Sequence, residues 1–112
     1  MPTKNPQEPF YRITVAEAKE LLASGEHVID VRDPHEYTAG HVPGAPLIPV
    51  NTVFARREEL PKEGKLIFVC AVGQRSALAC EMAAAAGIAA DRLYNLEGGT
   101  DAWVKAGEPV EK

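Results

Sequence analysis

The sequence is poor in the residues that build metal sites and disulfide frameworks. It has two cysteines, Cys70 and Cys80, and three histidines, with no C-x-x-C pair and no two histidines at helical spacing. A metal site therefore has little support, and we expect neither a metal nor another cofactor. A reducing compartment is the expected setting, so a disulfide between the two cysteines is not expected.

Long hydrophobic runs and an excess of positive charge are also missing. No apolar stretch approaches the length that spans a bilayer, and residues 1–10 lack the basic start and apolar run of a signal peptide. The net charge of −4 gives nucleic acid and anionic membranes no overall attraction. We therefore expect a cytoplasmic protein without nucleic-acid or membrane partners.

The length of 112 residues suits one domain with a hydrophobic core of its own. Residues 1–10 hold three prolines among polar residues, which predicts a flexible N-terminal lead-in. Residues 11–112 are predicted to form the single domain, because they show neither an internal repeat nor a low-complexity segment.

Short β-branched runs alternate with helical stretches along this domain. Five strands are predicted, at residues 11–13, 27–31, 46–50, 65–70 and 92–97. Helices are predicted at residues 16–24, 33–40, 52–60 and 76–86 and around residues 102–104. The alternation indicates an α/β fold with a mainly parallel five-stranded sheet, in which ligands gather at the carboxyl ends of the strands. Cys70 lies at such an end.

The segment with the strongest chemical character is the loop Cys70-Ala71-Val72-Gly73-Gln74-Arg75-Ser76. A turn between a buried strand and a helix can direct main-chain N–H groups and the positive end of the helix dipole at a sulfur atom. Gly73 permits a tight turn, and Arg75 adds a positive charge. These features favour a thiolate at Cys70, whereas a core cysteine would be followed by apolar residues.

Several other residues have both a structural and a functional interpretation. Arg75 could hold an anionic donor, Ser76 suits a helix N-cap, and Val72 and Gln74 would line the entrance. Asp30 and Arg32 flank Val31 at the end of the second strand; one could orient the active loop and the other could pair with Glu36. Structural roles are favoured for four residues: a hydrogen-bonding turn at His41, core packing at Cys80 and Trp103, and solvent exposure at His35.

The chain resembles the rhodanese family over about residues 11–109, and three blocks of the sequence carry this resemblance. The first is Asp30-Val31-Arg32 with the segment EYTAGHVPGA at residues 36–45. The second is the Cys70 loop, which resembles that family's C-x-x-G-x-R-S pattern. The third is Leu96-Glu97-Gly98-Gly99 with Ala102 and Trp103, which is similar to its L-x-G-G-x-x-A-W pattern. Three blocks in order are more specific than one.

The resemblance implies a sheet with helices on both faces and a sulfurtransferase that carries sulfane sulfur as a persulfide on Cys70. A thiosulfate-type small molecule would be the donor, and a thiol or cyanide would be the acceptor. A sulfur-relay protein is a further candidate partner. Nucleophilic covalent catalysis of this kind predicts ping-pong kinetics.

Two other functions fit parts of the sequence. A cysteine-dependent phosphatase or arsenate reductase also places an arginine after its cysteine, but typically as C-x5-R, whereas this loop is C-x4-R and makes a narrower bowl. A non-catalytic binding or regulatory module could share the fold, but such modules often lose the cysteine or its loop. The physiological donor and acceptor, the pathway and the oligomeric state do not follow from these residues.

Overall fold

The computed structural model describes all 112 residues. Four strands and four α-helices alternate in it: β1 Tyr11–Ile13, α1 Val15–Ala23, β2 His27–Asp30, α2 Pro34–Ala39, β3 Leu66–Val69, α3 Gln74–Ala85, β4 Leu93–Leu96 and α4 Gly99–Lys105. The strands pair in parallel in the order β1-β4-β3-β2, so β3 and β4 lie in the centre of the sheet. The predicted parallel α/β architecture is confirmed.

Alternate residues of the strands feed two hydrophobic cores, one on each face of the sheet. On one face, Leu66 and Phe68 of β3 pack with Ala79 and Cys80 of α3. On the other face, Ile67 and Val69 of β3 belong to a core that also contains Ala18 of α1 and Trp103 of α4. A strand covered on both sides needs a continuous apolar run, and β3 has one. The helices therefore lie on both faces, as expected.

The third of the five predicted strands, at residues 46–50, is not a strand in the structure. Leu47 forms only an isolated parallel bridge with Asp30, whose N–H donates to the Pro46 carbonyl at 2.9 Å. Ile48 N–H donates back to the Asp30 carbonyl at 2.9 Å. Before Leu47, Pro46 has no N–H to donate, so the ladder cannot extend in that direction. After it, Val50 N–H donates to the Val31 carbonyl at 2.9 Å, but Arg32 N–H donates to Asp30 Oδ1 instead of to this segment. The sheet therefore has four strands.

The predicted helix at residues 52–60 is also wrong. The chain forms two short 3-10 turns there, Val50–Thr52 and Arg57–Glu59. Between residues 52 and 60 only Val53 and Leu60 are buried, so little packing supports a full helix.

The helix at the carboxyl end of β2 begins and ends where the sequence predicts. Asp33 N–H donates to Glu36 Oε1 at 3.0 Å in a capping box, Pro34 occupies the first turn, and Gly40 ends α2.

The N-terminal residues make several contacts with the domain, among them an ion pair between the Met1 amino group and Glu17. Thr3 bridges Arg12 in an antiparallel sense, and Phe10 is completely buried in the α3-side core. The core therefore extends at least to Phe10, while the flexibility of the preceding residues stays a prediction.

Candidate active site

The Cys70 loop connects the carboxyl end of β3 to the first turn of α3. Gly73 immediately precedes α3 with a φ of 102°, a left-handed conformation that favours glycine. Its N–H points back into the loop and donates to Cys70 Sγ at 3.0 Å. The predicted concave turn is therefore formed, and a main-chain donor faces the sulfur.

The loop is also fixed to the N-terminus of α4. Thr100 N–H donates to the Cys70 carbonyl at 2.7 Å, and Asp101 N–H donates to the Ala71 carbonyl at 3.1 Å. A Cβ at Gly99 would lie 2.3 Å from the Cys70 carbonyl oxygen, so only glycine permits this approach. The third sequence block thus holds the backbone of the second.

The Cys70 residue is only 1% exposed, yet the surroundings of its sulfur are polar. Ser76 Oγ lies 3.3 Å from Cys70 Sγ. Burial alone would raise the pKa of the Cys70 thiol. Hydrogen bonding from the Ser76 side chain and from the N–H groups of Ser76, Gly73 and Val72 outweighs that effect and lowers the pKa. The site therefore favours a thiolate.

Ser76 is not the helix N-cap that the sequence suggests, because α3 begins two residues earlier, at Gln74. Its hydroxyl is completely buried and makes a short hydrogen bond with Asn95 Oδ1. Asn95 Nδ2 in turn donates to the Gly73 carbonyl at 3.0 Å. Sequence reasoning missed Asn95; the available signal was an amide side chain among the largely hydrophobic residues of β4.

Arg75 forms a two-pronged ion pair with Glu36 of α2. Its Nη1 and Nη2 atoms donate to Glu36 Oε1 and Oε2 at 2.8 and 2.9 Å. This pairing raises the pKa of Arg75 and lowers that of Glu36 to about 2. The sequence analysis instead considered Glu36 as a partner for Asp30 or Arg32.

Asp30 and Arg32 pair with each other. Arg32 Nη2 donates to Asp30 Oδ2 at 2.8 Å and to the Gly40 carbonyl at 2.7 Å, and both side chains are buried. The pair therefore connects the end of β2 to the end of α2. It makes no hydrogen bond to the Cys70 loop, so the orienting role expected for one of these residues has no direct contact behind it.

The rim of the loop is exposed. The Val72 residue is 55% exposed, Gln74 is exposed, and Ala71 is partly buried. An open groove of about 370 Å³ runs beside them. Its lining residues are Arg12, Val72, Gly73, Gln74, Ala77, Glu97 and Gly98.

The residues with favoured structural roles occupy structural positions. His41 stacks on the Tyr37 ring, and its Nδ1 lies 2.9 Å from the Tyr37 carbonyl. Cys80 is completely buried in the α3-side core, where burial raises its pKa well above the ordinary value. Trp103 packs in the opposite core, and His35 is exposed.

Most of this chain matches one known protein family. Residues 14–106 match the rhodanese-like domain family, which is most of the 112-residue chain. The chain belongs to this family. It is 35% identical to the sulfurtransferase of Allochromatium vinosum, over 81% of this chain and 85% of that protein.

Other members of the rhodanese-like domain family support the same assignment. The chain is 33% identical to the thiosulfate sulfurtransferase GlpE of Pseudoalteromonas translucida, over 92% of this chain and 98% of that protein. The crystal structure of a rhodanese-related protein from Thermoplasma volcanium superposes with a TM-score of 0.80 at 30% identity, over 89% of this chain and 96% of that one. No helix of the present chain has both the length and the apolar character needed to cross a membrane.

Proposed function

We propose that this rhodanese-like domain is a sulfurtransferase that carries sulfane sulfur as a persulfide on Cys70. The contact that carries the proposal is the hydrogen bond from Gly73 N–H to Cys70 Sγ at 3.0 Å. The Ser76 hydroxyl, 3.3 Å from the sulfur, can become a second donor when its proton turns from Asn95 Oδ1 to the negatively charged sulfur. Relatives named sulfurtransferases support the same reaction.

The first half-reaction forms a bond between two sulfur atoms. The Cys70 thiolate attacks the terminal sulfur of a thiosulfate-type donor, and the sulfur–sulfur bond of the donor breaks. Its electron pair leaves with sulfite, and Cys70 becomes a persulfide anion. Atoms and charges balance, because thiolate and thiosulfate together carry three negative charges, as do the persulfide anion and sulfite.

The second half-reaction returns Cys70 to the thiolate. A thiol or cyanide acceptor attacks the outer sulfur, the bond to Cys70 Sγ breaks, and the electron pair returns to Cys70. The donors that stabilise the starting thiolate also stabilise the leaving thiolate, because the charge reappears on the same atom. A sulfur-relay protein could present the acceptor thiol, and no cofactor takes part in either step.

Intact-mass spectrometry tests this proposal directly. The protein is incubated with thiosulfate and, separately, with hydroxyethyl persulfide. We expect one added sulfur atom in the wild-type protein and in Cys80→Ala, and none in Cys70→Ala. Circular dichroism verifies that all variants are folded. If neither donor adds sulfur to the folded wild-type protein, the domain is a non-catalytic binding module and the proposal is wrong.

A further inference from the structure

The active loop contains one charged side chain other than Cys70, and a carboxylate neutralises it. Arg75 is the only Asp, Glu, Lys or Arg residue between positions 70 and 76. Both of its terminal nitrogens are engaged by Glu36, at 2.8 and 2.9 Å. A doubly charged donor therefore meets an ion pair at this position instead of a free guanidinium.

Glu36 is held in place independently of Arg75. Its Oε1 also accepts the N–H of Asp33 at 3.0 Å, which closes the capping box of α2. The pKa of about 2 keeps Glu36 ionised throughout the neutral range. Arg75 could offer its full positive charge to a donor only by breaking its ion pair with Glu36, which is fixed in position and always charged.

The groove beside the loop offers no compensating positive charge. Arg12 lines this groove, but its Nε donates to Glu8 Oε1 at 2.9 Å. Glu97 lines the same groove and takes part in no ion pair. The two arginines and the three carboxylates Glu8, Glu36 and Glu97 together carry one net negative charge.

We infer that Glu36 is a specificity-determining residue that acts through Arg75: it makes the site favour donors with at most one negative charge over doubly charged donors. The inference rests on the proposed transfer to Cys70. Thiosulfate, a dianion, represents the disfavoured class, and a small organic persulfide represents the favoured one.

The organic persulfide reacts by the same type of displacement. The Cys70 thiolate attacks the outer sulfur of R–S–SH, the R–S–S bond breaks, and its electron pair leaves as the thiolate R–S⁻. Cys70 then carries –S–SH, so atoms and charge balance. No dianion approaches and no sulfite dianion forms, so the negative charge around the loop has no doubly charged donor to repel.

The test uses Glu36→Gln, which removes the charge while its amide oxygen can still accept from Asp33 N–H and Arg75. We expect kcat/KM for thiosulfate to rise about fivefold, mainly through a lower KM. A change of this size is what the removal of one partly screened unit charge beside the site should produce. For hydroxyethyl persulfide kcat/KM should change less than twofold, and the thiosulfate gain should shrink as salt is added.

The matched control is Glu63→Gln. Glu63 is exposed and lies before β3, at the end of that strand opposite to Cys70, so the variant makes the same change in net charge away from the site. It should leave the kinetics of both donors unchanged. An equal thiosulfate gain in both variants, or an unaltered donor ratio in Glu36→Gln, overturns the inference while the transfer itself stands. Absence of transfer from either donor removes the proposed function and the inference together.

Discussion

At the scale of single residues, the number of protons available around Cys70 limits how the sulfur is stabilised. A serine hydroxyl has one proton to donate. Ser76 Oγ contacts both Cys70 Sγ and Asn95 Oδ1, so it cannot donate to both at the same moment. When Cys70 is a neutral thiol, its S–H can donate to Ser76 while Ser76 donates to Asn95. When the thiolate forms, the Ser76 proton is needed at the sulfur.

Replacing Ser76 with alanine should therefore raise the pKa of Cys70 by about one pH unit, because one of its donors is lost. Thiolate forms as the pH rises through this pKa, so the thiolate fraction and the sulfur-loading rate at neutral pH should both fall. The pKa can be measured from the ultraviolet absorbance of the thiolate, as the difference from Cys70→Ala.

The control for this prediction is Ser24→Ala. Ser24 is an exposed serine whose hydroxyl bonds only to the Glu20 carbonyl. It should leave the Cys70 pKa unchanged. An unaltered pKa in Ser76→Ala would show that the main-chain N–H groups alone set the charge on sulfur.

At the scale of elements, the position of the active loop depends on how closely α4 approaches it. The Gly99 φ of 58° and the close carbonyl oxygens of Cys70 and Ala71 leave no room for a side chain. Gly99→Ala should lower the free energy of unfolding by at least about 3 kcal/mol and abolish sulfur loading, because the loop must move away from Thr100 N–H.

Gly107→Ala separates this steric effect from backbone strain. Gly107 has a φ of 80°, but a Cβ there meets no atom within 4 Å. We expect a cost of about 1 kcal/mol and normal sulfur loading. Urea unfolding and the intact-mass assay measure the two quantities. Equal losses in the two variants would mean that the contact with the loop is unimportant.

The elements also show which information the sequence carries locally. The capping box of α2 involves residues three positions apart, so Asp33, Pro34 and Glu36 predict that helix from the chain alone. The active loop is similarly recognisable because Cys70, Gly73 and Arg75 are close in sequence. The segment 46–50 was wrongly predicted as a strand, because its apolar residues are typical of one, whereas Pro46 and the bond of Arg32 N–H to Asp30 Oδ1 interrupt the ladder on either side of Leu47.

Contacts between distant elements could not be predicted from the chain. Glu36 and Arg75 are 39 positions apart, and Ser76 and Asn95 are 19 apart. The order of the strands brings each pair together, and a sequence pattern does not specify which charged or polar side chains then meet. The tertiary structure therefore determines which side chains surround Cys70 Sγ besides the Gly73 N–H. It also determines which carboxylate neutralises Arg75.

At the scale of the whole molecule, the two cores share one sheet. A substitution that destabilises one core should therefore also lower the stability of the other. Cys80 lies in the α3-side core and Trp103 in the opposite one. Cys80→Ser buries a hydroxyl at a completely buried position and should lower the free energy of unfolding by about 2 kcal/mol. Cys80→Ala, which buries no polar group, should cost about 1 kcal/mol.

Two probes can show whether the molecule unfolds as one unit. We expect Trp103 fluorescence and far-ultraviolet circular dichroism to give coincident urea transitions in both Cys80 variants, with unchanged slopes. A Trp103 transition that kept its wild-type midpoint in Cys80→Ser would mean that the two faces unfold independently.

The burial of the Cys70 side chain determines the shape of the molecules that can react there. The Cys70 residue is only 1% exposed, so we expect a narrow tip to reach the sulfur and a group with substituents on both sides to be excluded. Thiosulfate and persulfides end in a bare sulfur atom and satisfy this condition, whereas ordinary disulfides do not. Under the proposed function, we expect a cysteine recessed in this way to accept single sulfur atoms and to resist forming mixed disulfides with the abundant thiols of a cell.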